Sequence, residues 1–456
     1  MSVFDLAVVG GGPGGYATAL RAANHGMRVA IVEQAAVGGT CLHRGCVPSK
    51  ALLHVGRLAD EVPQLVELGL AAPGPGIDVE AAKRFSDGVV DQLHTGLKGL
   101  LKMRTVEVIY GRGSVAEPGR VVVSGDGGSQ EIRVGQIVIA TGSVVAELGN
   151  MPFDHDRILS SDDALRLARV PRSAVIIGAG AVGVEFASLW CSLGSNVTVL
   201  EMADRVLPLE DPDSSAALAR ALGRRGVTVR TGATVRSAVP GADGVVVEVD
   251  DSVLEVDQVL VAAGRRPSTG GSGLEELGVL DARGYLEVDA FGRSRIDGIW
   301  AVGDVVPTLA LAHVAFAEGF VVADAIAGLD PEPVDHRQAP RVTYCTPEVA
   351  SVGLSEPEAR ELFDNVETTT VSLNGNARAL IEGQGGRLKL VTDAAGTLLG
   401  VHIVGPGATE LISEATLATS WGALAGEVGN VIHAHPTVAE GMREAALRAA
   451  GMPFHG

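Results

Sequence analysis

The most constraining feature of this chain is a pattern that occurs twice. An apolar run over 6–9 leads into Gly10-Gly11-Gly12-Pro13-Gly14-Gly15, and another over 174–177 leads into Gly178-Ala179-Gly180-Ala181-Val182-Gly183. Each loop is followed by a segment that reads as helix, over 16–25 and 184–193, and then by a second strand-like run, over 28–33 and 196–200. Glu33 ends the first of these runs and Glu201 closes the second, each 23 residues beyond the first glycine of its loop (33 − 10 and 201 − 178). In a strand–turn–helix unit the first glycine makes the tight turn. The second, Gly12 or Gly180, lets the backbone reach a pyrophosphate, and the third, Gly15 or Gly183, lets helix pack on strand. The helix start offers free N–H groups to phosphate, and the acid is placed to bond a ribose hydroxyl. Two such units commit the chain to an α/β fold with two dinucleotide sites. Glu201 would repel a 2′-phosphate, and Arg205, the only nearby base, is expected to face solvent, so the second site favours NAD over NADP.

Just after the first unit comes Gly38-Gly39-Thr40-Cys41-Leu42-His43-Arg44-Gly45-Cys46-Val47-Pro48-Ser49-Lys50. Two thiols stand five apart at the mouth of a helix expected to start near Val47, with Pro48 in its first turn. Such a start favours a thiolate, and the flanking glycines let a planar cofactor approach the backbone. Four intervening residues do not match zinc spacings and only His43 is a nearby extra ligand, so no metal is expected. An inert structural bridge suits an intracellular chain poorly. A redox-active pair beside two dinucleotide sites reads as an electron relay. Cys191 and Cys345 read as buried or incidental thiols.

Composition narrows the rest. A chain of 456 residues suggests two to four domains with ample core, and its 60 glycines suit many tight strand-to-helix turns. A net charge of −19 and a pI near 5.0 argue against nucleic acid or an anionic membrane as partner. The start has no basic segment and no apolar stretch is long enough to span a bilayer, so a cytoplasmic protein is expected. Along the chain, 51–58 and 79–103 read as helices, 73–76 as a loop, 106–113 as strand, 120–134 as a hairpin turning at 125–129, and 136–139 as a further strand. That last strand ends in Ala140-Thr141-Gly142-Ser143, either a stop beneath a cofactor or an ordinary turn. A strand over 258–262 ends in Ala263-Gly264-Arg265-Arg266-Pro267, and one over 299–302 ends in Gly303-Asp304, where the acid could bind cofactor hydroxyls or cap a helix. Leu311-Ala312-His313 opens a helix to 327 whose positive end could stabilise a reduced cofactor. From about His336 the pattern becomes α+β, with strands over 341–352, 387–392 and 397–404 and helices over 410–418 and 439–450. There, His433-Ala434-His435-Pro436-Thr437-Val438-Ala439-Glu440 holds either an oriented general base or two unremarkable loop histidines with a capping Glu.

Gly39-Thr40-Cys41 through Lys50, the two glycine loops, Ala140-Thr141-Gly142, Gly303-Asp304 and His435-Pro436 through Glu440 occur in the order seen in the flavoprotein disulfide reductases (class I pyridine nucleotide-disulfide oxidoreductases). The chain resembles that family over essentially its whole length. The resemblance implies FAD held at Gly10, Gly12, Gly15, Glu33, Gly39, Thr40, Lys50, Gly113, Thr141, Gly142, Asp304 and Ala312. It implies NAD held at Gly178, Gly180, Gly183, Glu201, Val235 and Gly264. It divides the chain into an FAD-binding domain over 1–145 and 265–335, an inserted NAD-binding domain over 146–264, and a C-terminal α+β dimerisation domain over 336–456 that makes a homodimer. By the same resemblance Cys41 is the outer thiol, Cys46 lies nearer the flavin, and Glu440 orients His435 toward the thiols of the partner subunit. Lys50, which by composition alone would be a surface lysine, lies near the flavin and pairs with Glu185. The implied activity is oxidation of dihydrolipoamide with NAD through a Cys41–Cys46 disulfide, the lipoyl group being carried by a protein of a 2-oxoacid dehydrogenase or glycine-cleavage complex. No lipoyl-bearing N-terminal extension is expected, so the lipoyl group would be brought by another protein; the sequence shows no cysteine pair near its C-terminal end as in mercuric reductases and no arginine cluster by Glu201 as in glutathione reductases. Cys345 stands where relatives usually carry Thr. Two other readings are an NAD(P)H-dependent reductase of another small disulfide, such as mycothione, and a flavin-bound redox sensor or interaction protein with little turnover.

Overall fold

The computed structural model of the chain describes residues 4–70, 77–125 and 127–455; the loop expected at 73–76 lies outside them. The chain divides into two compact units. One joins Met1–Ala51, Lys83–Ala146 and Gly264–His336, and the other joins Leu52–Ala82, Glu147–Ala263 and Arg337–Gly456.

The first unit is built on a parallel sheet. Phe4–Val9 pairs with Val29–Glu33 on one side and with the end of Gly128–Ile139 on the other. Glu107–Tyr110 adds beyond Val29–Glu33, and Ile299–Ala301 adds beyond Gly128–Ile139. Leu6, Ala7, Val8, Ile31, Ile137 and Ile139 are fully buried, as expected of strands covered on both faces. The helix after the first strand runs Pro13–Asn24, three residues earlier than its pattern suggests, because Pro13 is preset for the first helical position. Two expected elements at 120–134 and 136–139 share one strand, Gly128–Ile139. Through Arg133 it pairs antiparallel with Arg120–Gly125, and from Val134 it pairs parallel with Phe4–Val9. The change of partner falls between Arg133 and Val134, next to Gly135, where a Cβ would meet Asp5 O at 2.8 Å. The expected strand 106–113 breaks instead at Gly111, with φ +151°, into Glu107–Tyr110 and Arg112–Glu117.

The second unit repeats the arrangement. Ser173–Ile177 pairs in parallel with Asn196–Leu200 and Gln258–Val261, with Thr228–Arg230 and Ile158–Leu159 at the edges. A three-stranded meander, Val235–Pro240, Val245–Val249 and Ser252–Val256, follows. The C-terminal part is an antiparallel sheet ordered Arg341–Thr343, Val349–Gly353, Leu398–Val404, Arg387–Asp393 and Val366–Ser372. Its apolar face packs on the helices Ala408–Ser420 and Glu440–Ala449 through Leu388, Leu390, Val401, Ile412, Met442 and Ala445. The single strand expected over 341–352 is two strands flanking a turn at Thr346-Pro347. Among the described residues no helix is long and apolar enough to cross a membrane.

Candidate active site

The two glycine loops share their geometry at the matched glycines. Gly10 and Gly178 take φ of +106° and +102°, a left-handed turn that glycine adopts without strain. Their N–H groups donate to Val32 O and Leu200 O, both at 2.8 Å. A Cβ on Gly15 would fall 1.9 Å from Gly10 O, and one on Gly183 falls 1.9 Å from Gly178 O, so each helix rests directly on its strand end. The acids repeat too. Glu33 accepts from Gly11 N at 2.7 Å and Ala35 N at 2.8 Å, and Glu201 accepts from Ala179 N at 2.6 Å and Ala203 N at 2.8 Å. Each carboxylate therefore ties its loop to the end of the second strand, a bracing role that sequence reasoning missed. Arg205 is not simply at the solvent edge: its side chain is 37% exposed and its guanidinium donates to Asp204 and the Pro208 carbonyl.

The thiol segment is fastened to the first loop. Gly38 N–H donates to Gly11 O at 2.7 Å, and a Cβ on Gly39, whose φ is +59°, would meet Gly12 Cα at 2.6 Å. Cys41 sits in the short helix Gly39–Arg44 and Cys46 opens the helix Cys46–Glu67. The two sulfurs are free thiols, one of the two states of a redox pair, with Cys41 half-buried and Cys46 exposed. The hydrogen bond to Cys46 pushes the Cys41 thiol strongly up, burial and the charge of Cys46 add to this, and Lys50 pulls the other way. The helix-start argument thus does not extend to Cys41, whose environment favours the protonated thiol. Tyr16, the first residue after the loop, was not foreseen as part of this site. Its hydroxyl is pushed up to about 12 by burial and then by Cys41 and Cys46.

The remaining first-unit positions lie on other elements of the same unit. Thr141 Oγ1 is buried without a protein partner, and Gly142 follows at φ +68°. Asp304 lies in the turn Gly303–Val305, accepts from the Ser143 hydroxyl and stands 3.9 Å from Arg265 Nε; it caps no long helix. Ala312 is the first residue of the helix Ala312–Ile326. Gly113 has its α-carbon against Val9 and Val32, where a Cβ would come within 2.8 and 3.0 Å. Gly264 takes φ +108° and its carbonyl accepts from Ala146 N. The glycine turn, the Glu33 carboxylate and the orphaned Thr141 hydroxyl fit a dinucleotide such as FAD.

In the second unit Val235 opens the meander beside a bulge. Glu185 is buried and accepts from Tyr344 N at 3.0 Å. The two histidines separate cleanly. His433 is 5% exposed and satisfied by Glu414 and the Val431 carbonyl. His435 is 74% exposed with Nδ1 2.9 Å from Glu440 Oε1, and Thr437 N–H fixes the same carboxylate at 2.9 Å. That N–H first, against some burial, and then His435 hold the Glu440 carboxyl below its ordinary range. Cys345 is buried, its thiol raised by burial and then by Glu185. Among the described residues no cluster of three His, Cys, Asp or Glu is placed to hold a metal.

Two phosphate-cradling loops with a thiol pair anchored to one of them define an oxidoreductase that passes electron pairs between a dithiol and nucleotide cofactors. Comparison with known proteins agrees. Residues 4–319 match the pyridine nucleotide-disulphide oxidoreductase family model, and residues 339–446 match that family's dimerisation domain. The chain is 41% identical to a dihydrolipoyl dehydrogenase of Thermus scotoductus, covering 98% of this chain and 97% of that one, and 36% identical to one of Bacillus subtilis, covering 99% of each. Among solved structures it resembles LpdA of Mycobacterium tuberculosis (TM-score 0.91, 29% identity, 97% of this chain and 99% of that one). It also resembles the HOCl-induced flavoprotein disulfide reductase RclA of Escherichia coli (TM-score 0.87, 28% identity, 97% and 99%). The chain belongs to the pyridine nucleotide-disulphide oxidoreductase family, whose cofactors are FAD and NAD, and it carries the family's dimerisation domain.

Proposed function

We propose that this chain is an FAD-containing, NAD-dependent oxidoreductase of dihydrolipoamide, working as a homodimer in the cytoplasm on lipoyl groups carried by a 2-oxoacid dehydrogenase or glycine-cleavage complex. The observation that carries the reading is the His435–Glu440 pair, an exposed imidazole with one nitrogen fixed by a carboxylate at 2.9 Å. Its other nitrogen is then the basic one, and the carboxylate stabilises the cation formed when it takes a proton. In the proposed reaction one substrate thiol gives its proton to His435. The resulting thiolate attacks the sulfur of Cys41 of the partner subunit, breaking the Cys41–Cys46 bond and releasing Cys46 as thiolate. The second substrate thiol then displaces Cys41, closing the lipoamide disulfide and leaving both cysteines reduced. FAD, held by Gly10, Gly12, Glu33, Thr141 and Asp304, supplies the two-electron carrier between the thiol pair and the nicotinamide. Lys50 offsets negative charge around the pair, and Glu201 holds the second loop in the form that takes NAD. The four-segment division at 145, 264 and 335 assigns FAD, NAD and dimerisation to successive parts of the chain.

The test is NAD reduction by dihydrolipoamide, run beside NADPH oxidation with other small disulfides. Fast turnover in the first assay supports the proposal. Preferential NADPH oxidation with another disulfide rejects it in favour of a reductase, and negligible turnover in both points to a sensor.

A further inference from the structure

One buried polar row has no part in the chemistry above. The registers of the C-terminal sheet align Arg341, Ser351, His402 and Lys389 across four strands. Paired residues point to the same face. Their neighbours Ala350, Val352, Leu388, Leu390, Val401 and Ile403 face the other way into the C-terminal core. Ser351 and His402 are fully buried and Lys389 is 3% exposed. A sheet face that spends a row of four positions, three of them buried, on polar and charged groups needs a partner of opposite charge.

The partner is the segment Glu210–Asp213. Lys389 Nζ lies 3.1 Å from both Asp211 carboxylate oxygens, 3.0 Å from Asp213 and 2.7 Å from Glu356. Arg341 Nε bonds Glu210 at 3.1 Å. Asp211, itself fully buried, caps the helix Pro212–Arg224 through Asp213 N and accepts from Glu356 N at 3.1 Å. Glu210 in turn donates its N–H to Leu207 O at 2.8 Å, and Ser215 Oγ reaches the same carbonyl. Leu207 has φ +44°, a strained value for a side chain of its kind, and its N–H donates at 2.8 Å to the carbonyl of Ala179, the middle residue of the second glycine loop. An unbroken path therefore runs from Lys389 through Asp211, Glu210 and Leu207 to the turn that cradles pyrophosphate.

We propose that Lys389 is a positioning residue for the pyridine nucleotide: the polar row of the dimerisation domain clamps Glu210–Asp213 so that strained Leu207 holds the Gly178–Gly180 turn ready for phosphate. The inference rests on the second loop being the NAD site. It adds that the C-terminal domain sets nucleotide affinity as well as subunit contact.

The experiment uses the full-length, FAD-loaded protein and titrates NADH binding by fluorescence alongside NAD kinetics, flavin content and melting temperature. Lys389→Met is expected to weaken NADH binding and raise KM for NAD together by about tenfold, with kcat changed less than about twofold and flavin content intact. Because that change leaves Asp211 buried and unpaired, a second variant combines Lys389→Met with Asp211→Asn. It is expected to recover melting temperature while its NADH affinity stays low. Wild-type affinity in a folded Lys389→Met protein, or affinity that recovers in step with melting temperature in the double variant, overturns the proposal. Wild-type protein that binds no NADH would instead sink the assignment of the second loop.

Discussion

The glycines of the second loop allow a test that separates what the chain needs from what the nucleotide needs. At Gly183 an added Cβ would lie 1.9 Å from Gly178 O and 3.0 Å from its carbonyl carbon. Relieving that contact requires helix and strand to part by more than about 1 Å, a backbone clash worth about 3 kcal/mol. At about 2–4 °C per kcal/mol, Gly183→Ala should melt about 6–12 °C early. At Gly180 an added Cβ meets no described protein atom within 4 Å, and the backbone angles of φ −69° and ψ −177° suit any residue. Gly180 is also the N-cap, where alanine costs about 0.5–1 kcal/mol relative to glycine. Reduced freedom of the unfolded chain returns about 0.4–1 kcal/mol, so Gly180→Ala should melt close to wild type. Nothing among the described residues requires a glycine there, whereas the proposed NAD site does. A methyl group in the space the pyrophosphate approaches should weaken NADH binding about 100-fold, or about 2.7 kcal/mol. The assay is NADH titration paired with scanning calorimetry on both variants. Gly180→Ala protein that binds NADH within about twofold of wild type would refute the claim that this backbone lies against the phosphates.

Three further outcomes follow from the geometry. Glu440→Gln keeps an acceptor for Thr437 N but removes the charge beside His435, so kcat with dihydrolipoamide should fall about 10–100-fold with little change in flavin content; steady-state kinetics and the flavin spectrum check both. Cys345→Ala should leave turnover within about twofold, because a thiol raised by burial is a poor nucleophile; turnover rates of the two proteins decide it. The clamp around Lys389 should shape stability against pH. Asp211 is drawn below its ordinary value of 3.8 by the Glu356 N–H, His402 and Lys389 despite burial, and Glu356 below 4.5 mainly by Lys389. Their contribution is intact above those values and lost as pH falls through the lowered ones. Lys389 is raised above 10.5 by Glu356, Asp213 and Asp211 against burial, so its contribution is intact below 10.5 and lost as pH rises through the raised value. Melting temperature should therefore decline at both extremes, and Lys389→Met should flatten the alkaline limb; an unchanged limb would contradict the charge assignment.

Legibility in the sequence followed the range of each interaction. The loops at Gly10 and Gly178 were readable because a left-handed turn and a helix lying on a carbonyl both demand glycine at fixed local spacing. The helix Pro212–Arg224 was also readable in principle, since Asp211-Pro212 is a cap followed by a proline suited to the first turn, yet it went unrecognised. The strand Gly128–Ile139 reads as two because residues 131–135 alternate for a one-sided sheet and its end, Ile137-Val138-Ile139, is wholly apolar, and residue pattern does not say that one strand serves two partners. His435 and Glu440 stand five apart, so their meeting was a local expectation. The family resemblance already singles out His435, and the structure adds that the His433 side chain is engaged by Glu414. Lys389 and Asp211 lie 178 residues apart, and nothing in either residue names the other. Tyr16 was overlooked for the opposite reason, because a tyrosine opening a helix looks like ordinary packing until burial beside two thiols sets it apart.

Differential alkylation shows most directly whether one electron pair passes through Cys41 and Cys46. Oxidised, FAD-loaded protein is blocked with one iodoacetamide isotope, treated anaerobically with dihydrolipoamide, then labelled with the other isotope and mapped by mass spectrometry. The second label is expected on Cys41 and Cys46 in equal amounts and on neither Cys191 nor Cys345. Label on Cys191 or Cys345 in their place, or no new label in protein that reduces NAD with dihydrolipoamide in a parallel assay, would rule that passage out.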